Sequence, residues 1–309
     1  MSENVHAPDL SVNLAGVTLK NPVVAVSGTF GFGREYGEYY DIGRLGAVCV
    51  KGITLLPRGG NPPPRVAETP MGMLNSVGLQ NPGIDAFLSD ELPFLRRFDT
   101  AVIANISGNT PEEYARMAEK LGDMVDLIEV NISCPNVKAG GMLFGTDPAL
   151  AAEVTRAAKR AAGRPVLVKL TPNVTDIAHI ALAVKDAGAD GISLINTLGG
   201  MRIDTETRRP ILRMNTGGLS GPAVLPVAIR CVYQVRGLGL PVLGMGGVST
   251  ASDAVEMMLA GAHAVGIGSA MFADPYAPMK VLQGLGEFMA SHHLTRISEL
   301  TGGVLPWEA

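Results

Sequence analysis

Eight short, nearly continuous apolar runs recur along the chain, and this alternation limits the fold more than any other feature. They are PVVAVS (22–27), GAVCVK (46–51), AVIANI (101–106), DLIEVNI (126–132), PVLVKL (165–170), GISLIN (191–196), PVLGMG (241–246) and AVGIGS (264–269). Their lack of polar alternation predicts parallel strands covered on both faces. Helical patterns separate most of them, at 111–121, 148–162, 175–187, 222–237 and 250–260, with a closing one near 276–291. Thr110 before Pro111 and Asp147 before Pro148 are good helix starts. Eight strands alternating with helices over 309 residues predict a single α/β domain, 1–309, folded as a (β/α)8 barrel. The proline-rich NPPPR at 61–65 reads as part of an extended loop rather than as a linker.

A barrel gathers its chemistry at the C-terminal ends of its strands. Here those ends carry Ser27-Gly28, Lys51-Gly52, Asn105, Asn131, Lys169, Asn196-Thr197, Gly246-Gly247 and Gly268-Ser269. Ordinary strand-end polarity accounts for one such residue more easily than for two lysines and three asparagines at matching depth. The glycine-containing ends of strands seven and eight suit a phosphate, which backbone N–H groups can approach closely there, although tight turns would use the same residues. Period-two alternation puts Cys49 one layer below Lys51 and reads it as packing. It also turns Glu129 inward with Asn131, where it needs a partner; Lys169 is the candidate.

Three strand-to-helix connections stand out as functional loops over the mouth: Thr54 to Gly83, Leu198 to Gly221, and CPNVKAGGMLFG from Cys134. In the third, Gly140-Gly141 could hinge a lid. Cys134 stands just before Pro135, which favours extended backbone, so its thiol should hang over the mouth. The other cysteines are Cys49 and Cys231, and no CxxC occurs. A sparse, odd count predicts a reducing, cytoplasmic setting, no disulfide framework and no metal site. A base or a nucleophile remains for Cys134. None of the five histidines lies near it in sequence, which favours a base beside a cofactor.

Composition narrows the partners. Hydrophobic residues make up 47% and charged residues 17%, as in a well-buried globular protein. No apolar run approaches the ~18 residues of a membrane span, and MSENVHAPDL has neither the basic start nor the apolar core of a signal peptide. A net charge of −4 argues against a nucleic-acid surface.

With these residues assembled, a resemblance emerges. NISCPNVKAGG (131–141), KGIT with PRGGNPPPR (51–65), NSVGLQNPG (75–83), INT (195–197) and GMGGV (244–248) resemble the class 1 dihydroorotate dehydrogenases across nearly the whole chain. The Lys-Ala-Gly-Gly after Cys-Pro-Asn-Val and the loop ETPMGMLNSVGLQNPG are similar to the NAD+-linked 1B branch. The resemblance implies an FMN barrel that oxidises (S)-dihydroorotate to orotate in pyrimidine synthesis. It implies FMN contacts at Ser27, Lys51, Gly52, Asn105, Asn131, Lys169, Ile195, Gly221, Gly246, Gly247, Gly268 and Ser269. Substrate contacts are implied at Lys51, Asn75, Ser76, Val77, Gly78, Leu79, Asn131, Asn196 and Thr197. Cys134 matches the general base, and Lys169 a charge that stabilises reduced flavin. Two departures are Met271 in GSAMF, where the family more often has asparagine, and Val77 for a common isoleucine.

The same branch implies an electron-transfer partner carrying FAD and a 2Fe-2S cluster, with a homodimer of this chain inside a heterotetramer. Three scattered cysteines cannot supply the usual four cluster ligands, and no GxGxxG follows a candidate strand. Alternatives are a fumarate-linked 1A enzyme on the same barrel and, more remotely, a flavin-dependent tRNA uracil reductase.

Overall fold

A computed structural model describes residues 8–133 and 144–307. Cys134 and the Gly140-Gly141 hinge lie outside the described residues. In chain order the strands are β1 (Val12–Leu14), β2 (Val17–Leu19), β3 (Val23–Ala25), β4 (Ala47–Cys49), β5 (Val66–Thr69), β6 (Gly72–Asn75), β7 (Ala101–Ile106) and β8 (Leu127–Asn131). Then follow β9 (Val166–Lys169), β10 (Gly191–Leu194), β11 (Leu198–Gly200), β12 (Ile203–Asp204), β13 (Arg209–Pro210), β14 (Gly217–Ser220), β15 (Val242–Met245) and β16 (Ala264–Ile267). β3, β4, β7, β8, β9, β10, β15 and β16 close into one barrel of parallel neighbours. All eight predicted strands are present, most of them shortened by a residue or two at the ends. Ser27, Lys51, Asn196, Gly246-Gly247 and Gly268-Ser269 therefore sit just past the ladder, on the turns that leave it.

The outer helices follow from their caps. Thr110 accepts a bond from Glu113 N–H, with Pro111 at the first helical position, and the helix Pro111–Leu121 ends where predicted. Asp147 caps Pro148–Ala161, and Asp176 caps Ile177–Asp186. Thr250 and Asp253 form a capping box that starts Ala251–Ala260. The predicted 222–237 helix is α-helical over Leu225–Val235, with a 3-10 turn at each end. Between β3 and β4 the chain makes two 3-10 turns instead of a helix. Residues 84–95 form a helical segment that the pattern did not reveal, including a π turn over Phe87–Glu91. Among the described residues, no helix is long and apolar enough to cross a membrane.

At the bottom of the barrel one device recurs at three strand junctions. The residue ahead of one strand accepts a bond from the start of the preceding strand and returns one from its own backbone. Asp126 takes Val102 N–H at 2.7 Å and gives its N–H to Val102 O at 3.0 Å. Asp190 does the same with Val166, at 2.7 and 2.9 Å. The His263 ring takes Val242 N–H on Nδ1 at 3.2 Å, and His263 N–H goes to Val242 O at 2.8 Å. Each carboxylate is also paired with a basic side chain, Asp126 with Arg96 at 2.7 Å and Asp190 with Lys159 at 2.6 Å. Burial holds the His263 imidazole below its ordinary value of 6.5, consistent with a ring that must keep Nδ1 unprotonated to accept.

Two of the long connections are not irregular loops. The hairpin β5–β6 from the first and the strands β11 and β14 from the second pair into one antiparallel sheet, in the order β11-β14-β6-β5. Sequence period alone missed these strands because they are short and rich in glycine, with little apolar alternation. β12 and β13 form a small antiparallel ladder of their own. The four-stranded sheet contributes several of the residues that line the barrel's mouth.

Candidate active site

Parallel register decides which side chains share the barrel interior. Cys49 pairs with Ile103, Asn105 with Glu129, Asn131 with Lys169, and Lys169 with Ser193. These neighbours point the same way, so β4, β7, β8, β9 and β10 give the interior a polar side. Across the barrel the pairs Met245 with Gly266 and Gly266 with Val24 make an apolar side. A side chain at Gly266 would stand 2.4 Å from Val26 and 2.8 Å from Met245, so glycine keeps this wall open.

Above these strand ends lies a cavity of about 540 Å³, a size typical of cofactor sites. Ser27, Lys51 and Gly52 line it at the ends of β3 and β4. Asn131, Lys169, Ile195, Asn196 and Thr197 line it from the ends of β8, β9 and β10. Gly246, Gly247, Gly268 and Ser269 line it beyond β15 and β16. From the roof come Asn75, Ser76, Val77 and Leu79.

Three expected site residues stand behind this surface. Asn105 is fully buried under Gly52, where an added Cβ would come 2.9 Å from Asn105 Oδ1. Gly221 supports the wall: a Cβ on Gly247 would lie 2.9 Å from its carbonyl oxygen. Gly78 backs the roof, and its open Cβ position is filled by Asn61, 2.6 Å away. These three are not among the residues that line the cavity directly.

Hydrogen bonds tie the polar residues together. Ser133 Oγ donates to Asn131 Oδ1 at 2.7 Å and accepts from Asn196 Nδ2. Tyr114 OH holds the Asn131 carbonyl from below at 2.8 Å. Asn173 accepts from Gly199 N–H at 2.8 Å and donates to Thr197 O at 3.0 Å, joining the end of β9 to the roof. Thr197 fits only because residue 218 is glycine; a Cβ there would stand 1.9 Å from its Oγ1. Ser133, Thr171 and Asn173 line the cavity and were not singled out from the sequence. The signal for Ser133 was its place between Asn131 and Cys134.

Below the floor, Glu129 is completely buried and Lys169 nearly so. Their closest atoms, Lys169 Nζ and Glu129 Oε2, are 3.8 Å apart, as alternation suggested. Cys49 is more than packing, because its thiol donates to Glu129 Oε2 at 3.3 Å. Burial first, then the neighbouring Glu129 charge, push the Cys49 thiol well above its ordinary value and keep it a donor. Cys231 is buried within its helix, as predicted.

At the phosphate-like corner, Gly246 and Gly247 have φ of 121° and 83°, which favour glycine. Asp253 takes the N–H groups of Ser249 and Thr250, at 2.9 and 2.8 Å. The helix end is thus closed on itself, and the glycine turns, rather than those two N–H groups, form the cavity surface there.

Comparison with known proteins agrees with this geometry. The family model for dihydroorotate dehydrogenase matches residues 9–289. A protein of Alkaliphilus oremlandii named dihydroorotate dehydrogenase B (NAD(+)), catalytic subunit, is 56% identical over 95% of this chain and 98% of its own length. Proteins of the same name from Alkaliphilus metalliredigens and Pelobacter propionicus are 56% and 53% identical, each over 96% of this chain and 99% of its own. This chain belongs to the dihydroorotate dehydrogenase family.

Proposed function

We propose that this chain oxidises (S)-dihydroorotate to orotate in pyrimidine synthesis, with FMN in the barrel mouth and NAD+ as the final acceptor. The observation that carries the reading is the convergence of Lys51, Asn131, Lys169 and Asn196 on one roofed cavity of about 540 Å³. The residues fit a flavin. Ser76 Oγ and Asn105 Oδ1 are buried without a hydrogen-bond partner among the described residues, one on the cavity wall and one directly behind it. The glycines at 246–247, whose Cβ positions are closed off by Ile195 and Leu225 at 3.0 and 2.8 Å, put bare backbone on the cavity surface where a phosphate would be held, and the cavity offers amides and two lysines.

FMN, when bound, supplies the two-electron acceptor for the hydride that leaves C6 of the substrate. The chain's own residues do the rest. Lys169 stabilises negative charge as it develops above the floor. Asn131 and Asn196, held by Ser133, present fixed amides to the donor–acceptor edge of the pyrimidine. Lys51 meets its carboxylate. Asn75 to Leu79 cover the site from the roof and exclude water. Cys134, the residue after Ser133, removes the C5 proton as general base.

The electrons leave through a second protein. The relatives are named catalytic subunits, which supports a further subunit. This chain has three cysteines, at 49, 134 and 231, one of them the proposed base and another bonded to Glu129. A partner with FAD and a 2Fe-2S cluster, joined to a dimer of this chain in a cytoplasmic heterotetramer, completes the path to NAD+.

The test is turnover of dihydroorotate by the purified chain with NAD+, fumarate and a redox dye compared as acceptors. Reduction of the dye but not of NAD+ is expected, with NAD+ reduction restored by an FAD/iron–sulfur subunit. Rapid NAD+ reduction by the chain alone refutes the partner, and fumarate as the best acceptor refutes the NAD+ link.

A further inference from the structure

Glu129 has no role in the chemistry above, yet its position is a demanding one for a carboxylate. It sits inside the barrel with none of its surface exposed. A buried carboxylate is costly unless its charge and lone pairs are matched. Here two hydrogen-bond donors and one ammonium, from three strands, converge on one of its oxygens. Oε2 accepts from Cys49 of β4 at 3.3 Å and from Asn105 Nδ2 of β7, and it lies 3.8 Å from Lys169 Nζ of β9. Oε1 has no partner among the described residues.

Two consequences follow for the cavity floor. First, a carboxylate oxygen accepts, so the Asn105 amide must present its NH2 to Glu129. Its Oδ1 is thereby turned up toward Gly52, where it stays unpartnered. Second, the Lys169 ammonium that faces the cavity is backed by an opposite charge on the side away from it. A flavin above the floor would feel the pair rather than an isolated cation.

We propose that Glu129 is a positioning residue that orients Asn105 and offsets the charge of Lys169, and so sets the reduction potential of the flavin bound above them. The inference rests on the proposed flavin site. It predicts opposite signs for the two members of the pair. Reduction adds negative charge to the flavin, so loss of a nearby cation disfavours it and loss of a nearby anion favours it. A purely structural role for Glu129 would loosen flavin binding without raising the potential.

The experiment is a double-mutant cycle on the flavin-loaded chain, read as midpoint potential by equilibration with a reference dye and as FMN dissociation constant by fluorescence. Lys169→Met should lower the potential, and Glu129→Gln should raise it above wild type. Glu129→Gln leaves a buried ammonium unpaired and could fail to fold. The double variant Glu129→Gln/Lys169→Met removes both charges and keeps the test decisive. Its potential should return from the Lys169→Met value toward wild type. A double variant equal to Lys169→Met, or a Glu129→Gln potential at or below wild type, overturns the pairing alone. A wild-type chain that takes up no FMN overturns the flavin reading as well.

Discussion

The two ends of the barrel use similar residues for opposite purposes. At the bottom, Asp126, Asp190 and His263 meet the backbone of the preceding strand, and the two carboxylates are paired with partly exposed basic side chains. Their bonding capacity is spent locally. At the top, Glu129 and Lys169 are buried with imperfect partners, and oxygens of Glu129, Asn105 and Ser76 stay unpartnered among the described residues. Polar atoms left unsatisfied in the interior cost stability, and such positions persist where a ligand uses them. The bottom should therefore govern folding and the top turnover.

The largest effect expected at the top comes from Cys134→Ala. Loss of a general base should cut dihydroorotate oxidation by about 10²–10⁴-fold, while FMN stays bound because the floor is untouched. Cys134→Ser should recover activity as pH rises, since a hydroxyl is harder to deprotonate than a thiol and is the weaker base near neutrality. Near-wild-type turnover by the alanine variant would remove Cys134 from the mechanism.

Next in size is the roof. Gly218→Val would drive a side chain into Thr197, whose Oγ1 already lies 1.9 Å from an ideal Cβ position there. A displacement of about 1 Å in a positioning group costs on the order of 10²-fold, here read in kcat/KM for dihydroorotate. The unfolding midpoint should change little, because the sheet caps the barrel rather than forming its core. A large loss of stability with unchanged kcat/KM would reverse the contrast between the ends.

The matching change at the bottom is Asp190→Ala. It strands Val166 N–H and the Lys159 ammonium together, and should cost about 1–3 kcal/mol in denaturant unfolding. Turnover by the folded fraction should match wild type. A selective fall in kcat would show that the bottom is not purely structural.

The smallest effect is in pH. The folded His263 takes up a proton less readily than the unfolded chain, so the unfolded state binds more protons once pH falls through the ordinary value of 6.5. The stability gained from the neutral ring is present above that pH and is lost as pH drops toward the folded value. His263→Gln should flatten the slope of stability against pH below 6.5. An unchanged slope would assign the acid sensitivity to another group.

How early each feature could be read follows from the range of the interactions behind it. The strands and most helices rest on short-range signals. β-branched runs fix strands, and Thr110, Asp147 and Thr250 cap helices through bonds to residues two or three positions away. Lys51, Asn131, Lys169 and Asn196 were found because barrel topology sends every strand end to one mouth, so position in a run stands in for position in space. Cys134 stood out by its proline and its place after a strand, in a stretch outside the described residues.

The roof and the buried carboxylate cluster could not be read this way. Asn75 reaches Gly218 O across 143 positions at 3.4 Å, and Cys49 reaches Glu129 across 80. Alternation turned Glu129 inward and suggested Lys169, but it could not show Cys49 and Asn105 sharing the same oxygen. That depends on the stagger of three strands around a closed barrel. Local sequence sets which residues form strands and where each strand ends. Only closure of the barrel sets which of those residues share a layer, because register between strands is fixed by packing the whole interior at once.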